Sequence, residues 1–246
     1  MTAGIHFLDA RLPGGIRVYA IGDVHGRYDL LMQMHTLIAA EIKQDAPADW
    51  RIIHLGDYVD RGPQSRETLD FLAKATANDE RMIALMGNHD EGFLDFLANP
   101  TEARLFLDYG GFETAASYGV VLDASNRNAV FESHRQLLSA MPEKHLTFLH
   151  SLKRHAEFGD FFFCHAGVRP GTALADQDPH DLIWIRREFL THSGLYEKVV
   201  VHGHTPQMEP EVMPNRINVD TRAFDTGCLT ALVLEGDQKR FLHALA

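Results

Sequence analysis

His54-Leu55-Gly56-Asp57-Tyr58-Val59-Asp60-Arg61-Gly62-Pro63 sets two carboxylates and an arginine directly behind a short apolar run. Arg51-Ile52-Ile53-His54-Leu55 has the β-branched content of a buried strand, and Gly56, Gly62 and Pro63 mark an abrupt turn after it. A carboxylate where a strand leaves the sheet stands where α/β folds place ligand-binding and catalytic groups. One polar turn of this kind is commonplace; its repetition is not.

Four further stretches share the design. Ile16 to Gly22 leads into Asp23-Val24-His25-Gly26, and Met82 to Gly87 leads into Asn88-His89-Asp90. Phe161-Phe162-Phe163-Cys164 stops at His165-Ala166-Gly167, and Val199 to Gly203 stops at His204-Thr205-Pro206. If the strands lie in adjacent sheets with their ends on one side, these polar tips converge on one small volume.

Working outward, the first strand is followed by Tyr28 to Ile42, apolar at helical spacing through Leu30, Leu31, Met34, Leu37, Ile38 and Ile42. A second helix is expected from about Gln64 to Ala77 and a third from Glu91 to Leu97. Three βα units in succession predict a mainly parallel, helix-covered sheet. From about residue 100 to 155 the pattern turns helical, around Tyr109-Gly110-Gly111-Phe112, and this insert is placed where a lid or substrate-selecting wall would lie. Arg216 to Asp220 and Leu229 to Leu234 return to short strands with no helix expected between them, which predicts an antiparallel second sheet.

The chain of 246 residues is 45% apolar and has no Pro-, Gly- or Ser-rich linker, so one domain spanning 1–246 is expected. Its formal charge of -11, without a Lys or Arg run, disfavours nucleic-acid or membrane partners and leaves small phosphorylated ligands open. The first nine residues lack a signal-peptide pattern, and a cytoplasmic location is expected. Two cysteines are too few for a disulfide framework or a thiolate zinc site, and Cys164, inside a phenylalanine run, reads as buried and inert. Of the histidines, His35, His134, His145, His155 and His180 read as ordinary surface or helix-end residues.

Asp and Asn oxygens mixed with imidazole nitrogens, and no thiolate, suit divalent manganese first, with iron, zinc, cobalt or nickel as alternatives. Six candidate ligands exceed what one ion requires and fit two ions sharing a carboxylate, an arrangement suited to phosphoester hydrolysis without a protein nucleophile. Gly22-Asp23-Val24-His25-Gly26, Gly56-Asp57 to Gly62, Gly87-Asn88-His89-Asp90, His165-Ala166-Gly167 and Gly203-His204-Thr205 together resemble the calcineurin-like metallophosphoesterases, in particular the bacterial and phage form of the phosphoprotein phosphatase branch. That resemblance implies an α/β fold, a β-sandwich flanked by helices in four α/β/β/α layers. It implies that Asp23 and His25 bind one ion, that Asp57 bridges, and that Asn88, His165 and His204 complete the second. His89 would be the general acid, oriented by Asp60, and Arg61 would clamp phosphate oxygens. A second arginine is expected downstream; Trp184-Ile185-Arg186-Arg187 offers two, and Arg186 is preferred. His202 is taken to lie behind the ligands rather than among them. Asp90 departs from the Glu usual in the eukaryotic branch.

The implied function is a metal-dependent phosphomonoesterase of serine/threonine protein phosphatase type, working by direct attack of hydroxide bound to a dinuclear centre, with a phosphorylated protein or peptide as substrate. The alternative is a symmetrical diadenosine-tetraphosphate hydrolase acting on a small nucleotide. Symmetrical hydrolases tend to carry a small residue in place of Asp60, which tilts the sequence toward the phosphatase. A non-catalytic metal-binding scaffold is disfavoured because acid, orienter and ligands are all present.

Overall fold

The computed structural model describes residues 4–246. Strands β1 (Ile16–Ile21), β2 (Asp49–His54) and β3 (Met82–Ala84) pair in parallel, joined by helices α1 (Tyr28–Asp45) and α2 (Ser65–Asn78). α3 (Asn88–Ala98) follows β3, and α4 (Arg104–Asp108), α5 (Gly111–Ser117), α6 (Arg127–Ala140) and α7 (Glu143–Ser151) form the helical insert. β4 (His155–Phe158), β5 (Phe161–Cys164), β6 (Val199–His202), β7 (Glu211–Val212) and β8 (Arg216–Asn218) build a second sheet, with short helices α8 (Asp181–Trp184) and α9 (Arg187–Leu190) between β5 and β6. After a one-turn helix α10 (Ala223–Thr226), β9 (Cys228–Glu235) and β10 (Gln238–Leu245) close the first sheet in the order β10-β9-β1-β2-β3.

The two sheets stack face to face. Alternation along each strand explains the stacking: Val18 and Ala20, Ile53, and Leu232 and Leu234 turn into a shared apolar layer with Phe161, Phe163, Val199, Val201 and Ile217 of the other sheet. The intervening residues Tyr19, Ile21 and Ile52 pack under α1 and α2, and Phe162, Cys164 and Val200 pack with Ile183 and Phe189 of α8 and α9. Strands covered on both faces read as continuous apolar runs, which is how they stood out in the sequence. The result is the four-layer α/β/β/α sandwich.

Three expectations are corrected. The second sheet is mixed, not antiparallel: β5, β6 and β8 run parallel, and only its edges β4 and β7 are antiparallel. The β5–β6 connection carries α8 and α9, short helices that the sequence pattern does not reveal, and a crossover of that length returns the chain in parallel. Leu229 to Leu234 also leaves the second sheet and pairs antiparallel with β1, supplying β1 with its other neighbour. In addition, α3 begins at Asn88 rather than Glu91, because the Asp90 carboxylate accepts from the Gly87 N–H at 3.0 Å and caps the helix. Asn88 and His89 therefore sit in its first turn.

Histidine burial differs from expectation as well. His145 is fully buried, its ring bridging Tyr118 Oη at 2.6 Å and Asp70 Oδ1 at 2.9 Å. His35 is half-buried and stacks on the fully buried His54, with the two Nε2 atoms 3.0 Å apart. His54 Nδ1–H donates to Ile83 O, so its Nε2 accepts from His35 Nε2–H and both rings are neutral. Burial, and for His35 the neighbouring ring, pushes their pKa values down to about 3 for His35 and about 4 for His54. Below about pH 6.5 the unfolded chain takes up two protons that the folded pair refuses, so stability present above that pH is lost as the pH falls toward 4. Each ring accounts for on the order of 1 kcal/mol per pH unit over that window. Urea midpoints in EDTA at pH 7.5 and 5.0 should therefore fall less for His35→Phe than for wild type; equal falls would refute this origin of acid lability.

Candidate active site

The ends of β1, β2, β3, β5 and β6 converge as the sequence pattern anticipates. Asp23 and His25 follow β1, Asp57, Asp60 and Arg61 follow β2, Asn88 and His89 follow β3, His165 follows β5, and His204 follows β6. All of these except Arg61 are buried. His25, Asp57, Asp60, Arg61 and His204 all have φ between 43° and 69°, the left-handed region that residues other than glycine rarely adopt. Such conformations persist where the surroundings over-determine them, and here they are concentrated at one site.

Asp57 is the centre of the arrangement. Its Oδ2 lies 3.3 Å from His25 Nε2 and its Oδ1 lies 3.4 Å from His165 Nε2. Two groups of donor atoms share it, His25-Asp57-His89 and Asp57-His165-His204, each within 4.8 Å. Asn88 Oδ1 joins the second, 3.0 Å from His165 Nε2 and 2.7 Å from His204 Nδ1. The glycines of the motifs have a steric reason. A Cβ on Gly87 would overlap Asp57 Oδ1 and N, and one on Gly203 would overlap Asp23 Oδ1. Asp90 fixes the turn from behind, its carboxylate accepting from the N–H groups of Asp57 at 2.8 Å and Tyr58 at 2.9 Å.

The donor set fits divalent cations. His25 Nδ1–H donates to Val59 O at 2.8 Å and His165 Nδ1–H donates to Leu55 O at 3.0 Å, so each turns a bare Nε2 lone pair toward the carboxylate and amide oxygens. Acceptors facing acceptors in a buried volume call for a cation between them, and a carbonyl behind each imidazole is the usual support for a metal-ligating histidine. Burial pushes His25 and His165 below the ordinary histidine range and His204 down to about 2, which keeps their lone pairs free. Burial would raise the Asp57 carboxyl, but the surrounding imidazoles, led by His165, hold it below the usual range. Asp23 accepts from the His204 N–H at 3.0 Å, and burial followed by the charges of Asp220 and Asp57 pushes it up.

At the rim, His89 Nδ1–H donates to Asp60 Oδ2 at 2.7 Å, and its Nε2 faces Arg61 Nη2 at 3.1 Å. Thr114 Oγ1–H from α5 donates to Asp60 Oδ1 at 2.8 Å, so the insert helps to orient this pair. Burial lowers the His89 proton affinity, yet Asp57 and Asp60 outweigh it and the ring holds its proton above the ordinary range. Arg186 is exposed just before α9, and its charge lowers the proton affinity of His165 and His204. His202 stays outside both donor groups: it is fully buried, 4.9 Å edge-on to Phe189 between ring centres, and its Nδ1 faces Gly203 O. Cys164 is buried, and burial pushes its thiol up, as an inert core cysteine requires.

The sequence reading missed Asp220 and Thr114. Asp220 is buried beside Asp23, and burial pushes its carboxyl up to about 6. Its signal was present, since Ile217-Asn218-Val219 stops at Asp220 just as the other strands stop at their polar tips. Nothing local marks Thr114, which reaches Asp60 only through the packing of the insert.

Comparison with known proteins agrees with this geometry. The family described as calcineurin-like phosphoesterase matches residues 16–219. The bis(5'-nucleosyl)-tetraphosphatase PrpE [asymmetrical] of Halalkalibacterium halodurans is 28% identical over 227 residues, covering 86% of this chain and 87% of that protein. The protein of the same name from Bacillus velezensis is 27% identical over 238 residues, covering 88% and 86%. The fold is also that of a protein serine/threonine phosphatase from Saccharomyces cerevisiae, with a TM-score of 0.58 at 13% identity over 98% of this chain and 85% of the other. Among the described residues, no helix is long and apolar enough to cross a membrane.

Proposed function

The chain belongs to the calcineurin-like phosphoesterase family and is a hydrolase; from that premise we propose that it cleaves bis(5'-nucleosyl) tetraphosphates at a dinuclear metal centre built from Asp23, His25, Asp57, Asn88, His165 and His204. The observation that carries the metal chemistry is Asp57, shared between two buried donor groups. The substrate class is supported by the relatives of that name, whose similarity runs over most of both chains. This reverses the order of the two readings drawn from the sequence. The relatives' name favours an asymmetrical cut over the symmetrical one, and the Asp60 objection to symmetrical hydrolases has no force against it.

Two divalent ions in this site, manganese being the first candidate, would polarise phosphoryl oxygens and lower the pKa of bound water toward neutrality. Arg61 presents its planar fork to phosphoryl oxygens, and Arg186 adds positive charge on the side of His165 and His204. Asn88 contributes a neutral oxygen, which limits repulsion of an anionic substrate. His89 delivers a proton from Nε2 to the departing oxygen while Asp60, held by Thr114, stabilises the charged ring.

The His89–Asp60 pair favours a second reading, phosphomonoesterase activity of serine/threonine protein phosphatase type. An alkoxide is a poor leaving group and needs the proton, whereas a nucleoside phosphate departs without much help. Manganese-supported hydrolysis of diadenosine tetraphosphate and of a phosphothreonine peptide, with chromatography of the nucleotide products, separates the readings. ATP plus AMP at a higher kcat/KM than the peptide is the expected result. Two ADP would restore the symmetrical cut, and preference for the peptide would restore the phosphatase.

A further inference from the structure

Beside the metal centre lies a cavity of about 510 Å³ that meets the catalytic groups only at Arg61. Tyr109 and Phe112, on either side of Gly110-Gly111 in the insert, line it together with Phe224 and Arg61. Tyr109 is 59% and Phe112 44% exposed, an unusual state for two large aromatic rings three residues apart beside a catalytic centre. The cavity joins the site directly. Phe224 lies 5.5 Å from the His25 ring, and the Arg61 guanidinium sits 4.9 Å over the Phe224 ring while its Nη2 meets His89. The insert is tied to the same point, since Arg61 N–H donates to Gly110 O at 3.1 Å. A Cβ on Gly110 would overlap the Arg61 backbone, and the residue has φ of 112°, so glycine permits this close approach.

We propose that this cavity is the nucleoside pocket, in which Tyr109, Phe112 and Phe224 take up a purine base while Arg61 directs the adjoining phosphate toward the metal centre. The inference deepens the tetraphosphatase reading and rests on it. Its volume falls within the range of about 300–1,000 Å³ typical of small-molecule sites. Aromatic faces stack on bases, and the remaining polar walls suit a base rather than a second anion. Asp108 and Glu113 line the cavity, and carboxylates only accept hydrogen bonds, so they match exocyclic amino groups and repel phosphate or an acidic peptide. The polyphosphate is thereby confined to the Arg61 end.

The test is the double variant Tyr109→Ala/Phe112→Ala in the manganese-loaded enzyme, assayed on diadenosine tetraphosphate and on inorganic tripolyphosphate, which has no base. Loss of stacking should raise KM for the dinucleotide by about 10- to 100-fold and leave KM for tripolyphosphate within about twofold. Tyr109→Phe should retain wild-type KM. Equal defects on both substrates, or none on either, would overturn the pocket. A second readout separates this proposal from the substrate assignment: free adenosine as a competitive inhibitor of glycerol phosphate hydrolysis. If wild type does not cleave the dinucleotide, adenosine inhibition that is lost in the double variant still establishes the pocket. Absence of adenosine inhibition in wild type would refute it.

Discussion

Asp57→Asn is expected to abolish binding of both ions and to lower kcat/KM by about 10³-fold or more, the scale on which a preorganised charged group acts. Asp57 is the one residue common to both donor groups, and its two oxygens approach His25 and His165 separately, at 3.3 and 3.4 Å. An asparagine retains one oxygen and loses the charge, so it cannot serve both sides. Asp23→Asn, by contrast, alters a carboxylate outside the two three-residue groups and should leave one ion bound. Metal content after gel filtration measures this directly: near two ions per chain for wild type, about one for Asp23→Asn, and none for Asp57→Asn. A thermal readout checks it independently. Ions at 100 times their Kd stabilise the folded chain by about 2.7 kcal/mol per site, so added manganese should raise the Tm of wild type and leave Asp57→Asn where EDTA puts it. Two ions retained in Asp57→Asn would remove the bridging role.

Most of the candidate site, but only half of the topology, was legible in the sequence, for a physical reason. A ligand motif is local: the strand must end, the turn must be tight, and the glycine must be small enough to let the carboxylate pass. Gly87 against Asp57 and Gly203 against Asp23 show how closely residue type and geometry are tied there. Strand pairing is not local. Leu229 to Leu234 carries no mark of which sheet it joins, and its place beside β1 follows from β1 needing a second partner. Asn88 and His89 enter α3 because Asp90 caps it, a role visible only once the Gly87 N–H is seen to donate to its carboxylate. Asp220 obeyed the same strand-end rule as the others and was passed over because it follows the strand without glycine or histidine. The buried His145 exposes the opposite weakness. A histidine in a polar helix looks solvated until its partners, Tyr118 and Asp70, arrive from other elements.

Removing His89, the proposed general acid, should affect the two candidate reactions unequally. His89→Ala is expected to lower hydrolysis of a phosphothreonine peptide by about 10² to 10⁴-fold, the contribution of a positioned acid to a poor leaving group. For diadenosine tetraphosphate the departing group is a nucleoside phosphate, already a stable anion near neutral pH, and the loss should stay within about tenfold. Asp60→Asn keeps the hydrogen-bond geometry at His89 Nδ1 but withdraws the charge that stabilises the protonated ring. It should therefore follow the same ranking with a smaller defect, and Thr114→Val, which removes one donor to Asp60, a smaller one still. All three variants leave the six proposed ligands, Asp23, His25, Asp57, Asn88, His165 and His204, in place, so metal content should remain at two ions and serves as the control. A large, equal loss on both substrates would mean that His89 does more than donate a proton, and its proximity to His25, 4.7 Å between ring centres, would then point to support of the metal site itself. An unequal loss in the expected direction would show that the chain kept an acid its preferred substrate scarcely needs, and that phosphomonoester hydrolysis is within reach of the same centre.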